Sequence, residues 1–348
     1  MIVLHRAVIA LLLLSCSATA LACRCAERPL ADYYAAADTV LMASIETVAP
    51  AAADASRKVV QFRALGPAWK SATQQPTQGL FHTGTSSASC ALDVSAGEVW
   101  MLFLPQQEDA LVTGCGGSRV LHSAAGSDAD AESGGFMDVP ARFVASQLNA
   151  LVGMDLLRDL QASTSPRLLG LLDIKTLAHG GSAWLYADAA ASAEVIASID
   201  SMDQLQHREA GYEYAAATVY ALSDFGHQVK LADGRNGWLA REHAGTWFAY
   251  EELIIKRLNY LHRDWHGLLW PAAGAGLPLR LSGTNVAGRE HAARVKASMR
   301  VADSLWLQLD VLSSDGCDGK PAKIIASGWT PAWLVNGEPA AWFHSRGC

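Results

Sequence analysis

The stretch with the most potential chemistry in this chain is Cys23-Arg24-Cys25. Two cysteines one residue apart point to opposite sides of an extended segment and are poorly placed to bridge each other. Each therefore reaches its own distant partner. If the chain begins at Cys23, its α-amine has a pKa of about 7.7–8. A useful fraction is then neutral at pH 7 and can ligate a metal, such as a zinc that keeps one coordination position open. The alternative role of the tripeptide is mechanical: two staples that pin an N-terminus to a folded body.

Other residue groups have ligand-like spacing. His262 and His266 stand four apart with Asp264 between them, which on a helix would put two imidazoles on one face. No glutamate completes a HExxH pattern, and Gly267 and Pro271 end any helix early, so the pair reads as packing or surface histidines. Asp128, Asp130 and Glu132 resemble the start of a calcium loop. Ser133 stands where that loop needs glycine and Val139 where it needs glutamate, so the segment reads as a solvated loop. Trp238, Trp247, Trp265, Trp270, Trp306, Trp329, Trp333 and Trp342 crowd the second half. Most aromatics in small β domains are core, but some form platforms for peptides or glycans; Tyr220 and Trp238 are the candidates for such a platform. The chain carries no G-x-S-x-G elbow, phosphate loop or zinc-type CxxC pair. We therefore read a binding protein, not an enzyme, with no cofactor and no resident metal.

Residues 1–22 read as a secretory signal: His5 and Arg6, an apolar run from Ala7 to Leu14, and a small-x-small site at Ala20-Leu21-Ala22. Cleavage there exposes Cys23. A rival reading takes Leu13-Leu14-Ser15-Cys16 as a lipoprotein box with a lipid anchor on Cys16. Either way the expected location is secreted or periplasmic, and no stretch is long enough for a transmembrane helix. Six of the seven cysteines (23, 25, 90, 115, 317 and 348) remain in the mature chain, a disulfide framework with 15 connectivities. Cys317 and Cys348 flank one Gly-Trp strand and are paired locally. Losing Arg6 takes the formal charge from −7 to −8, which argues against a nucleic-acid surface.

The elements that would position these residues are short. Glu27 to Ala37 and Val139 to Val152 have helical spacing. Val40–Val48, Lys58–Leu65, Leu80–Thr83, Val99–Leu104 and Ala110–Thr113 read as strands, which suggests a barrel or sandwich. After a boundary near Ser163 to Pro166 come Ala183–Ala187, Val195–Ile199, Thr218–Ala221, Gln228–Ala232 and Gly237–Ala240. Asp233-Gly234 marks a tight hairpin. The last segment echoes this one: Trp306 to Val311 resembles Gln228 to Leu231, and Gly328-Trp329 resembles Gly237-Trp238, as in two related barrels in tandem.

The first part resembles the netrin module, the OB-type barrel of tissue inhibitors of metalloproteinases. The matching residues are Cys23-Arg24-Cys25, the helix at Leu30 to Ala37, Phe81-His82-Thr83-Gly84, Ser89-Cys90, Gly97 to Phe103 and Thr113-Gly114-Cys115. That resemblance implies Cys23–Cys90 and Cys25–Cys115 pairs. It also implies an inhibitory edge in which the Cys23 amine and carbonyl meet the zinc of a metalloendopeptidase. Arg24 departs from the small or uncharged residue usual beside that zinc. The second half resembles bacterial SH3-like domains through Tyr212, Val219-Tyr220, His227-Gln228-Val229, Asp233-Gly234-Arg235 and Gly237-Trp238. That likeness implies an aromatic buried between strands at Trp238 and, for the protein, a cell-wall peptide or protein partner in the envelope. The expected architecture is mainly β: an OB-type barrel with flanking helices over 23–155, an SH3-like barrel over 166–260, and a second SH3-like barrel or β extension over 261–348.

Overall fold

The computed structural model describes residues 25, 28–66, 68–71, 76–86, 90–107, 110–122, 141–255, 257–281, 291–317, 319 and 321–344. Residues 1–22 with Cys16 lie outside these residues, as do Cys23, Arg24, Cys348 and the acidic residues 128, 130 and 132. The protein is mainly β, with several antiparallel sheets. Its contacts divide it into two compact units, Met1–Leu148 and Asn149–Cys348.

The first unit opens with helix α1 (Leu30–Ala36), which buries Tyr33 and Tyr34. Its strands are β1 (Thr39–Ala51), β2 (Asp54–Ala64), β3 (Lys70–Ser71), β4 (Gln78–Gly84), β5 (Val99–Leu104) and β6 (Arg119–His122), in sheet order β4-β2-β1-β5-β6 with β3 also on β1. β1 is central and bends at irregularities between Ile45 and Thr47 and between Pro50 and Ala51. Its inward residues Leu41, Ala43 and Ile45 meet Val60, Phe62, Phe81, Trp100 and Leu102 in one core.

The expected barrel does not close. β4 and β6 do not pair, and a single parallel bridge, His82 with Leu111, is what reaches the free side of β4. Loops lie along that edge in place of β6, held by one backbone group and one side chain of β4. Val112 N–H donates to the His82 carbonyl at 2.7 Å, and Leu92 N–H donates to the Thr83 hydroxyl at 2.9 Å. Ala110 to Thr113, expected as a strand, accordingly forms isolated bridges only.

Helix α2 (Ala141–Ala162) runs ten residues past its expected end and spans the boundary between the units. The second unit then builds β7 (Gly170–Leu172), helix α3 (Lys175–Ala178), β8 (Ala183–Tyr186), β9 (Val195–Ile199), β10 (His207–Gly211), β11 (Tyr214–Leu222), β12 (Gly226–Lys230), β13 (Asn236–Ala240) and β14 (Trp247–Ala249). These form one sheet in the order β14-β7-β11-β12-β13-β8-β9, with β10 on β11. Helix α4 (Tyr250–Ile254) leads into β15 (Leu258–Leu261), the hairpin β16 (Leu268–Leu269) and β17 (Leu279–Arg280), then β18 (His291–Val301), β19 (Ser304–Leu312), β20 (Ile324–Pro331) and β21 (Ala341–Phe343). The last sheet runs β20-β19-β18-β15-β21. Neither sheet closes into the expected SH3-like barrel: β14 and β9 end the first unpaired to each other, as β20 and β21 end the second.

The sequence echo is a register-matched repeat. In the first copy Gln228 faces Trp238 and Val229 faces Gly237; in the second Gln308 faces Trp329 and Leu309 faces Gly328. The next strand matches too. Val219 and Ala221 pair with Val229 and Gln228 across a bulge at Tyr220, as Val295 and Ala297 pair with Leu309 and Gln308 across one at Lys296. On the far side each tryptophan meets an aromatic, Tyr186 for Trp238 and Trp270 for Trp329.

One apolar cluster contains Leu171 and Ala216 of the first of these sheets together with Leu305, Leu307 and Leu309 of the second, with Tyr250 fully buried among them. The Tyr250 ring stacks on Trp342 at 5.8 Å, and its hydroxyl donates to the Ala341 carbonyl at 2.8 Å. Burial raises its pKa, so it remains a neutral donor. Tyr250→Phe keeps the ring and removes that bond. It should cost about 1–3 kcal/mol in urea unfolding, the range for leaving a buried acceptor unsatisfied; an unchanged midpoint would show that the hydroxyl carries no weight.

Candidate functional site

Two places gather the residues singled out above. The first lies around Cys115. Cys25 and Cys115 are joined by a disulfide with Cα atoms 5.0 Å apart. Cys90 is also disulfide-bonded, and its sulfur lies 3.5 Å from that of Cys115. The three sulfurs fall within 4.8 Å of one another. That spacing would suit a soft metal, but all three are consumed in disulfides, so no thiolate is left to ligate one. Cys23, the partner expected for Cys90, lies outside the described residues. Cys317 is disulfide-bonded too, and its expected partner, Cys348, is likewise undescribed.

The quoted motifs explain how this cluster is held. Thr83 is fully buried and its hydroxyl fixes Leu92, setting the loop that carries Cys90. The Cys90 carbonyl accepts from Gly114 N–H at 2.9 Å, and Ala91 bridges Thr113. Cys90 itself has φ 54°, a left-handed conformation costing about 1–3 kcal/mol for a non-glycine residue. The ladder and the disulfide together impose it. On the next strand the Glu98 carboxylate accepts from Ser95 N–H and from the Trp100 indole, each at 2.8 Å. Ser118, buried behind Cys115, accepts from Phe103 N–H at 3.0 Å. Gly117 has φ +91°, and a Cβ there would stand 2.6 Å from the Tyr33 ring, so α1 can lie against this turn only if residue 117 is glycine. A hollow of about 180 Å³ lined by Tyr33, Phe103, Leu111, Thr113 and Gly116 adjoins the cluster. The larger groove of this unit, about 530 Å³ between Glu46, Gln61 and Leu80, shares none of those residues.

The second place is the outer face of the β8–β13–β12–β11 sheet. Gln228 and Lys230 alternate with Val229 and Leu231, which enter the core. Trp238 shares a face with Gln228 and Tyr186, half-buried and not enclosed between strands as the SH3-like resemblance implied. Tyr220, at the bulge, lies under the Lys230 ammonium, 5.6 Å from ring to Nζ. The structure therefore brings Tyr220 and Trp238 onto one face. It adds three aromatics that sequence reasoning missed: Tyr186, Phe225 packed edge-on against it at 5.3 Å, and Trp184, which is 52% exposed. The signal for two of them was the Trp184-x-Tyr186 alternation, which puts both rings on one side of a strand.

The histidine pair does not share a helix face. Residues 262–267 are irregular rather than helical. His262 Nδ1 accepts from Asp264 N–H. His266 is wedged between Trp265 and Trp270, although one edge keeps some solvent access. Its Nδ1 accepts from Leu268 N–H at 3.0 Å, which leaves Nε2 to carry the proton toward the Thr330 hydroxyl. Burial, then Arg280, lowers its pKa to about 3.

Comparison with protein-family models, with curated proteins and with solved structures gives no match. The likenesses to netrin and SH3-like modules rest on the motif residues alone.

Two outcomes follow. Gly117→Ala should destabilise the first unit by about 1–3 kcal/mol from backbone strain alone, with a further loss as Tyr33 is displaced; a thermal melt matching wild type would show that the turn relaxes freely. His266 stays neutral in the fold down to about pH 3, while an unfolded histidine takes up a proton near pH 6.5. The unfolded chain therefore binds more protons between these values. Stability should fall as pH drops below about 6.5, by up to about 1.4 kcal/mol per pH unit from this group. His266→Asn, which keeps an acceptor for Leu268, should have a shallower slope between pH 6.5 and 4.5 in denaturant titrations. Parallel slopes would remove His266 as the cause.

Proposed function

We propose that this chain is an exported, non-catalytic binding protein whose first unit acts as a metalloendopeptidase-inhibitor-like module through Cys23-Arg24-Cys25. One observation carries the reading: the Cys25–Cys115 disulfide lies beside a disulfide-bonded Cys90. An N-terminal edge held at neighbouring points is preorganised, so little entropy is lost when its amine and carbonyl meet an open zinc. The OB-type part of the reading draws support from the central, bent β1 paired on both sides, and from the partial closure at His82–Leu111, since OB folds are partly open barrels. The target would be a zinc endopeptidase, secreted or periplasmic like its inhibitor, whose pocket accepts Arg24.

A second reading, favoured by a separate observation, is an envelope adaptor. Tyr220 and Trp238 share a sheet face with the largely exposed Trp184, and clustered aromatics of that kind serve binding better than solubility. Here the SH3-like half binds a cell-wall peptide or a protein partner and the first unit is its scaffold.

The two are separated by the N-terminus. Adding one alanine before Cys23, or acetylating its amine, should abolish inhibition of a susceptible zinc endopeptidase and leave the melting temperature unchanged. If the mature protein inhibits none of a broad metalloendopeptidase panel at micromolar concentration, the inhibitor reading falls and the adaptor reading stands in its place.

A further inference from the structure

The repeat makes a comparison available inside one chain. In the second copy, the face carrying Gln308 and Trp329 is covered. Trp270, Trp306 and Leu268 are buried there, and Val152, Leu156 and Leu157 of α2 pack against them. The fit is close enough that a Cβ on Gly153 would approach the Trp270 ring at 3.0 Å and Pro278 at 3.1 Å. A mid-helix glycine is normally unfavourable; here it lets the helix backbone lie on the indole. In the first copy the matched positions are Trp184 for Leu268, Tyr186 for Trp270 and Trp238 for Trp329. Trp184 is 52% exposed, and Tyr186 and Trp238 are half-buried.

The charges differ in a way that points to the missing partner. In the second copy the bulge residue is a cation, Lys296, paired with Asp310 at 3.2 Å. In the first copy the bulge residue is Tyr220 and the cation is Lys230, which has no carboxylate partner among the described residues. A ligand for this face would present apolar groups to Trp184 and Trp238 and an acid to Lys230. The chain's own α2 has that composition: apolar residues at 152, 156 and 157, with Asp155 and Asp159 beside them, both sharing the exposed Arg158 guanidinium.

We propose that the outer face around Trp184, Tyr186 and Trp238 docks an acid-bearing helix of a partner protein through a local apolar patch, in the way its repeat copy holds Val152, Leu156 and Leu157 of α2. This rests on the adaptor reading and names its partner class. It is a groove-and-helix mode, with a short apolar patch of the helix as the anchor, and needs no protease.

The test uses the intact mature protein and a synthetic peptide of residues 141–162 as the helical probe, with a soluble peptidoglycan stem peptide as the second probe. Calorimetric titration should give saturable binding of the helical peptide. Trp184→Ala and Trp238→Ala should each weaken it at least tenfold, and Lys230→Glu should weaken it with a loss of salt dependence. Trp184→Ala should melt like wild type because its side chain is half in solvent, so a lost signal there is not unfolding. A peptide with Leu156→Asp should not bind. If the stem peptide binds and the same tryptophan variants abolish it while the helical peptide stays silent, the adaptor reading survives and the helix inference is overturned. If neither probe binds, or if binding is indifferent to Trp184 and Trp238, the inference is wrong and the inhibitor reading is untouched.

Discussion

Small β cores cannot cover themselves with regular structure, and backbone that crosses them irregularly must still satisfy its hydrogen bonds. That constraint shapes this protein. Thr83 and Ser118 are side chains buried only to serve passing backbone, at Leu92 and Phe103. Glu98 does the same for Ser95 while holding an indole. In the second unit Tyr250 reaches the Ala341 carbonyl, fully buried Asn259 donates to the Ile254 and Arg257 carbonyls, and Trp333 donates to Leu168 across 165 residues of sequence. Each of these sits where one segment turns over another. The open side of β4 fits the same rule, since its His82 carbonyl is already taken by the loop at Val112.

The repeat shows how one register can serve two ends. Bulge, Gln, Gly and Trp recur in matched pairs, so the backbone of both copies solves the same problem in the same way. What diverges is the outer layer. One copy keeps Trp306 where the other has Gly226, and a helix closes over the larger residue. The cation has moved from the bulge to the strand beside it, and its partner has changed from a carboxylate to a phenol ring. Inner faces are constrained by packing density, whereas outer faces are free to acquire separate uses.

Much of this was legible in the residues. Val99–Leu104 and Val195–Ile199 match to the residue, because each is a short run bounded by turn signals. The Asp233-Gly234 hairpin forms as its composition dictates, with the Asp233 carboxylate accepting from Arg235 N–H. The Gly-Trp echo held down to register. Strand β18 was not legible, because Arg294, Lys296 and Arg300 interrupt its apolar residues and much of its outer half is exposed. The full length of α2 was hidden for the opposite reason: its apolar residues are spread around the helix rather than gathered on one stripe. Whether a sheet closes depends on the course of chain beside its edge strands, as at His82, and no propensity encodes that. At the sites, spacing alone left 15 pairings open, and it was the netrin resemblance that implied the Cys25–Cys115 bond. Phe225 had no signal, since it joins the aromatic face from a turn by packing on Tyr186.

The proximity of Cys90 and Cys115 also bears on how the first unit meets a reductant. Exchange proceeds by attack of a thiolate on a neighbouring disulfide sulfur. With the two sulfurs 3.5 Å apart, opening either bond creates a nucleophile already within reach of the other. The first reduction is bimolecular and the next can be intramolecular, so the two bonds do not fail independently. A single encounter with a small thiol could start a shuffle among three sulfurs confined to a few ångströms. What returns the chain to its starting pairing is not sulfur chemistry but the left-handed Cys90 backbone and the ladder to Gly114, which favour one arrangement over its isomers. The β scaffold thus acts as a template that selects which sulfurs lie within reach of one another.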